Sequence, residues 1–588
     1  MLLGSTRPLV ELTLAINYAI GRLDPWGYHL VNLFIHLTAG LIVYGVCRQT
    51  FRTPRLSARY GPAATPLAFS IALLWLLHPL QTQSVTYLSQ RAEALMGLWA
   101  LLTLYATCRA SVSGAAQTRW TVLAISACAL GMLSKPVMVV IPLLVLAYDR
   151  IFLSESLRAA LRTRRGLYRG LVASWALLAL VVATMTPEEE ATVGFHVRAF
   201  TPWEYAATQA GVIWHYVRLA LWPHPLVLDY HWPIARTISA TLVPALGLVV
   251  LLLLIVRAVS QRSPAGFLGL WVAGTLAPTS SVFPLADLIF EHRMYLPLAG
   301  LIGFAVPWGW TRLQRIVPTP SRRRVLAAAL MLSLTAAYTT VTIRRNRDYR
   351  SELRIWADTV AKQPENTRAR LTFGYALAQR KRYDEALAQF QELLRLAPND
   401  PEALNNLGLT MKEMGKPDDA IRYFHEALRG KPEDALVYNN LGIIAMQEQR
   451  HGEAIAYFSE ALRLQPHYMM AHYNLATELL KQAQYEPALE HSQTAVALNP
   501  YFPDAFHGLG AALIYLGRYE EAAVACQQAL RLDPRNAAVL ANLGVARYHQ
   551  GRFRDAVQYL SQSLSLDPTA HDTSENLHMI LSQHPELQ

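Results

Sequence analysis

The 588 residues carry a formal net charge of +11, and 53% of them are hydrophobic while only 16% are charged. Typical soluble proteins are roughly 25% charged, and the shortfall here lies almost wholly before position 345, which excludes one water-soluble domain. The excess arginines sit in short clusters between apolar runs instead of along one polar face, which argues against nucleic-acid binding and for membrane loops.

The chain opens on "STRPLVELTLAINYAIGRLDPWGY", an arginine-containing amphipathic stretch without the pattern of a cleavable signal peptide. Residues 1–27 are therefore predicted as an outer amphipathic segment. Ten apolar segments then approach the roughly 20 residues that a spanning helix needs: 28–47, 65–81, 92–108, 119–134, 137–152, 170–186, 240–256, 265–283, 295–310 and 325–343. Residues 28–345 are predicted as a polytopic membrane domain with about ten spans. Cys47, Cys108, Cys128 and Cys526 show no metal-ligand spacing, so neither a zinc site nor a disulfide framework is expected.

Arginine-rich loops stay in the cytoplasm. The loops at 48–64, 150–169 and 311–324 hold such clusters and fall on one side, whereas alternate loops are poor in arginine or acidic, as in "PEEEATVGF" after Met185. Both termini are then predicted outside. Residues 203–222 are apolar enough to cross, but they carry His215 and Arg218, and crossing would put Arg257 and Arg262 outside. An interfacial or re-entrant helix is the reading adopted. The cluster Arg344, Arg345, Arg347 and Arg350 after the last span points the other way.

Ionisable groups at membrane depth are expensive and mark function. Four clusters carry them. "DPWGYHLVNLFIH" puts His29, Asn32 and His36 on one helix face; "HPLQTQSVTYLSQRAE" carries His78, Gln81, Arg91 and Glu93; "LSKP" carries Lys135; and "FEHRMYLP" carries Glu291, His292, Arg293 and Tyr295. All four are predicted near one membrane face. There Arg91, Lys135 and Arg293 could together neutralise the phosphate of a lipid carrier. The alternative is interfacial snorkelling and helix-to-helix hydrogen bonding.

After residues 346–366, predicted as a connecting half repeat, prolines recur every 34 residues at Pro364, Pro398, Pro432, Pro466, Pro500, Pro534 and Pro568. That period belongs to tetratricopeptide repeats. A glycine lies 24 residues before the proline in five repeats, with Ala476 in the sixth, and an alanine lies 12 before it. Six repeats are predicted over 367–568, closed by a capping segment at 569–588. Asn406, Asn440, Asn474 and Asn542 hold one place in their repeats, facing the concave groove, where amides could bind a peptide backbone or else pack between repeats. This ladder resembles that of the soluble O-linked N-acetylglucosamine transferases.

The order of "RPLVELTLAINYAIGRLDPWGYHLVNLFIH", "HPLQTQSVTYLSQRAE", "LSKPVMVVIPLLVLAYD", "RLALWPHPLVLDY" and "EHRMYLP", followed by repeats, resembles the transmembrane and tetratricopeptide-repeat O-mannosyltransferases of the type C glycosyltransferase superfamily, and bacterial-type members in particular. The resemblance implies a polyprenyl-phosphate sugar donor, chemistry at the outer membrane face and a protein acceptor presented by the repeats. It also implies a first span and an acidic pair that precede the point where this chain begins; Asp24 does not replace that pair, and Glu291 is a distant substitute for the catalytic carboxylate.

The expectation is an all-α protein, a polytopic transmembrane bundle followed by a tetratricopeptide-repeat α-solenoid, in a bacterial inner membrane with the repeats periplasmic. Its function would be transfer of a sugar, mannose by resemblance, from a polyprenyl-phosphate donor to protein hydroxyls. The alternative is a non-catalytic membrane-anchored scaffold. Membrane lipid, the lipid-linked sugar and a bound protein or peptide are the expected partners, with no nucleic acid and no metal or nucleotide motif; a transporter is weaker, since the spans show no internal repeat.

Overall fold

The computed structural model describes residues 7–112, 114–183 and 200–587. The acidic loop "PEEEATVGF" and Gln588 lie outside them. The chain divides into two compact units, Met1–Asn366 and Thr367–Gln588.

The first unit holds α1 (Pro8–Gly21), α2 (Pro25–Phe51), α3 (Pro54–Tyr60), α4 (Ala64–Leu77), α5 (Thr82–Thr86), α6 (Arg91–Ala110), α7 (Gln117–Met132), α8 (Ile141–Tyr148), α9 (Leu157–Thr163) and α10 (Arg165–Ala183). They are followed by α11 (Pro202–Leu221), α12 (Ile238–Ser260), α13 (Pro264–Leu276), α14 (Pro297–Ile316), α15 (Pro320–Asp348) and α16 (Glu352–Lys362). Proline opens many of them, at the first helical position where its missing N–H is not needed. Asp24 is the N-cap of α2, its carboxylate accepting from the Trp26 N–H at 3.0 Å.

The ten apolar segments overlap helical structure where they are described, although 277–283 is turn and bend, and among the described residues six helical stretches, against the ten spans expected, are long and apolar enough to cross a membrane by length and composition. The helix α12 makes the physical case most directly. None of its residues is buried, and Leu242, Val243, Leu253, Leu254 and Val256 are each more than half exposed. Such a surface is stable only in hydrocarbon, where a helix satisfies all its backbone polar groups internally.

The arginine loops meet at one end of the bundle. Arg55 Nη1 donates to the Ile151 carbonyl at 3.3 Å, Arg59 Nη2 to Thr311 Oγ1 at 3.2 Å, and Arg164 Nη1 to both carboxylate oxygens of Asp149 at 2.8 Å. At the opposite end α11 lies along the face. Tyr205 near its start donates to the Thr279 carbonyl at 2.6 Å, Tyr216 accepts from the Phe290 N–H at 2.9 Å, and the Ala220 carbonyl near its end accepts from His78 Nε2 at 3.1 Å. Both ends of α11 thus engage loops on the same side, as an interfacial helix would.

The second unit is six helix pairs and a closing helix: α17 (Thr367–Ala378) and α18 (Tyr383–Leu396), α19 (Pro401–Glu413) and α20 (Pro417–Gly430), α21 (Ala435–Gln447) and α22 (His451–Leu464), α23 (Met469–Lys481) and α24 (Tyr485–Leu498), α25 (Pro503–Tyr515) and α26 (Tyr519–Leu532), α27 (Ala537–His549) and α28 (Phe553–Leu566), then α29 (His571–Gln583). This is a tetratricopeptide-repeat solenoid. Within each of the first three pairs the repeat glycine lets a phenylalanine reach the first helix. A Cβ on Gly374, Gly408 or Gly442 would come within 2.5 Å of the ring of Phe390, Phe424 or Phe458.

Candidate functional site

The four predicted clusters converge on the short helical turn Glu291–Met294, which leads into α14. Three consecutive ionisable residues, Glu291, His292 and Arg293, leave this turn in three directions.

Glu291 is wholly buried. Its Oε1 accepts from the Val227 N–H and the Tyr230 hydroxyl, each at 2.8 Å, and lies 4.0 Å from Arg345 Nη2. Arg345 in turn donates to Asp358 at 2.9 Å, and Lys362 bonds the same carboxyl at 2.7 Å and the Leu226 carbonyl at 2.9 Å. Burial pushes the Glu291 carboxyl above its ordinary range, and the positive charge of Arg345 opposes that shift. Glu291 Oε2, Arg345 Nε and Nη2, and the Tyr349 hydroxyl are buried with no hydrogen bond, so this network retains unspent donors and an acceptor.

His292 turns toward α5 and the Lys135 loop. Its backbone N–H and its Nδ1 both face Gln83 Oε1, at 2.8 and 3.1 Å. An atom that accepts from the backbone must be the amide oxygen, so Nδ1 carries the proton. Burial, then the charges of Lys135, Arg293 and Arg7, hold this imidazole well below its usual range, and it stays neutral. Lys135 is ion-paired with Glu93 and only 13% exposed. Burial lowers its ammonium, the Glu93 carboxylate opposes this, and Arg7 and Arg293 add repulsion. Arg7, which opens the first family-like motif but is not among the predicted site residues, therefore belongs to this cluster; it is exposed and lies at the start of α1.

Arg293 clamps its own loop. It donates to the carbonyls of Asp287, Thr279 and Leu288 at 2.7, 3.2 and 3.1 Å. Arg91 is similarly occupied inside the bundle, donating to Asn32 Oδ1 at 2.7 Å, Asn17 Oδ1 at 2.6 Å, and the carbonyls of Tyr28 and Thr13 at 3.1 Å. All three of its nitrogens are used in joining α1, α2 and α6. Lys135 is thus the predicted phosphate ligand whose only hydrogen-bond partner among the described residues is another side-chain charge, Glu93.

Tyr295 closes the arrangement. Its hydroxyl lies 3.0 Å from His36 Nδ1, while His36 Nε2 donates to the Leu76 carbonyl at 3.1 Å, so the tyrosine is the donor. Its ring lies against Gly97, where a Cβ would approach it to 2.3 Å. His78 bridges to α11 as described, Gln81 is buried with neither amide atom hydrogen-bonded, and His29 sits beside Arg91. No group of three or more His, Cys, Asp or Glu able to hold a metal occurs among the described residues.

In the solenoid Asn440 Nδ2 donates to Asn405 Oδ1 and Asn474 Nδ2 to Asn439 Oδ1, each at 3.0 Å, while Asn406 Nδ2 donates to the Glu402 carbonyl at 2.8 Å. At two rungs the amide therefore ties neighbouring repeats together and offers a ligand only its remaining valences. Asn542 is half-buried.

Fold and site define an integral membrane protein with a charged network at one end of its bundle and a tetratricopeptide-repeat module. Tetratricopeptide-repeat family models match residues 374–415, 406–468 and 513–578. The chain's homologues are protein O-mannosyl-transferases: it is 27% identical over 455 residues to Tmtc3 of Drosophila melanogaster, covering 67% of this chain and 49% of the relative, and 25% identical over 433 residues to TMTC4 of Homo sapiens, covering 66% and 57%. The chain spans about half the length of the curated relatives it matches. Among solved structures it is similar to Pseudomonas aeruginosa pilF, at 21% identity and a TM-score of 0.35, covering 37% of this chain and 99% of that one.

Proposed function

We propose that this chain transfers a sugar, mannose by the names of its relatives, from a polyprenyl-phosphate donor to a protein hydroxyl. The observation that carries the reading is the Glu291–Tyr295 turn, which sets a carboxylate with an unspent oxygen next to a residue facing the Lys135 and Arg7 charges. Glu291 Oε2 takes the proton of the acceptor hydroxyl, the hydroxyl oxygen bonds the anomeric carbon, and the lipid phosphate leaves with the bonding pair. Lys135, aided by Arg7, stabilises the charge growing on that phosphate. Arg345 offsets the burial that would otherwise neutralise Glu291. Glu291 is wholly buried, so the acceptor hydroxyl reaches Oε2 only once the packing around it parts.

With its arginine-rich loops read as cytoplasmic, the proposal has this turn face the periplasm from a bacterial inner membrane. The repeats, reached through α15, follow on that face and hold the acceptor protein. Protease protection of residues 367–588 in sealed right-side-out vesicles would exclude this orientation.

Transfer from a polyprenyl-phosphate sugar, followed in membranes, is expected to fall at least a hundredfold in Lys135→Gln and in Glu291→Gln, with each variant's melting temperature in detergent reported alongside. Full transfer by both removes the site assignment. A scaffold is the second reading, favoured by the saturation of Arg91 and Arg293 with protein partners. A wild-type chain that binds acceptor peptide through its repeats and transfers nothing from any lipid-linked sugar would establish it.

A further inference from the structure

The end of the bundle remote from the candidate site contains a cavity of about 410 Å³ between α2, α3, α8, α13 and α14. That size is within the roughly 300–1,000 Å³ of ligand pockets. Its body is apolar, formed by side chains that include Phe51, Tyr148, Phe152, Phe267, Trp271 and Phe304. The polar groups at its depth are already partnered, the Tyr148 hydroxyl with Thr50 Oγ1 at 2.7 Å. Nothing inside therefore calls for a polar guest.

The rim is different. Arg59, Arg312 and Arg315 line the same cavity and are exposed. Arg59 bonds Thr311 and Arg312 lies over the Trp308 ring, 5.3 Å from its centroid, but none of the three is ion-paired among the described residues. Three uncompensated guanidinium groups beside an apolar hollow match an amphiphile with an anionic head and a hydrocarbon tail. They stand where the apolar bundle meets its arginine-bearing loops, the level at which lipid phosphates lie. A further spanning helix is too large an occupant, since 20 residues of helix are about 10 Å across and 30 Å long.

We propose that this cavity binds an anionic phospholipid, its phosphate held by Arg59, Arg312 and Arg315 and one acyl chain lodged among the aromatic side chains. The site is separate from the proposed donor site at the other end of the bundle.

The test uses the full chain in neutral detergent, with thermal stability and native mass spectrometry read after adding dioleoyl phosphatidylglycerol, dioleoyl phosphatidylcholine or inorganic phosphate. Phosphatidylglycerol should raise the melting temperature and remain bound, phosphatidylcholine should bind at least tenfold more weakly, and inorganic phosphate should have no effect. Arg59→Gln/Arg312→Gln/Arg315→Gln should abolish the preference, while Arg158→Gln/Arg162→Gln/Arg165→Gln should keep it. Gly303→Leu, which fills the hollow and leaves the arginines, should reduce retention of phosphatidylglycerol. Equal binding of the two lipids, an unchanged preference in the first triple variant, or a loss of preference in the second would overturn the proposal, as would stabilisation by inorganic phosphate alone.

Discussion

Arg345 is the residue on which most of the buried charge depends. It stands between Glu291 and Asp358 at 3% side-chain exposure, and removing one partner of a buried ionic group typically costs about 3–5 kcal/mol, because the others are left uncompensated. Arg345→Leu is therefore expected to destabilise the protein by about 3 kcal/mol, and Glu291→Gln/Arg345→Leu by less than the sum of the single changes. Additive losses in detergent melting would show that the two side chains do not interact. His292 supplies a pH dependence. Its folded form resists protonation while the unfolded form takes a proton below about 6.5, so stability falls as pH is lowered through that value. In His292→Asn this part of the acid sensitivity should vanish, giving a flatter melting profile between pH 7 and 5. The turn itself was readable as a polar cluster at membrane depth. Its division among three environments was not, because Glu291 meets Arg345 across 54 positions and no local spacing encodes that meeting. Arg345 read only as one loop charge of four.

The helix pair of a repeat carries its own packing rule. Gly374, Gly408 and Gly442 face phenylalanine 16 residues later; Gly510 faces Cys526, Gly544 faces Leu560, and the exceptional Ala476 stands 16 before Ser492. The methyl group occurs where the opposing side chain is smallest. Ser492→Phe should thus overpack the fourth pair and destabilise by about 1–3 kcal/mol, whereas Ala476→Gly/Ser492→Phe should regain most of the loss. If the second change gives no rescue in denaturant unfolding, the complementarity argument fails. This rule was present in the sequence as a fixed offset. A 34-residue period aligns equivalent positions of different repeats, whereas this rule links two positions within one repeat, so periodicity alone does not display it.

At the scale of the whole chain, two solvents govern two units. Residues 367–588 bury alanine, leucine and phenylalanine against one another and expose charged faces, so that segment alone should fold in detergent-free buffer with a helical circular dichroism spectrum and a cooperative melt. Residues 1–366, with the bare apolar surface of α12, should remain dispersed only in detergent or lipid. A soluble, monodisperse N-terminal unit in plain buffer would refute the membrane assignment. Apolar run lengths locate the longer helices of this half but not the short α3, α5 and α9, whose few residues leave no run to detect. The course of α11 needed tertiary information, because hydropathy reports how apolar a helix is and not whether its two ends emerge on one side.

The glycine and its opposing side chain always belong to the same repeat, never to neighbours. Each 34-residue unit thus brings its own lock and key, and a gene could lengthen or shorten the array by whole units without disturbing any such fit. Splicing inside a unit between positions 476 and 492, onto the second helix of any of the first three repeats, would instead join an alanine to a phenylalanine, so the natural seams for recombination lie at the prolines.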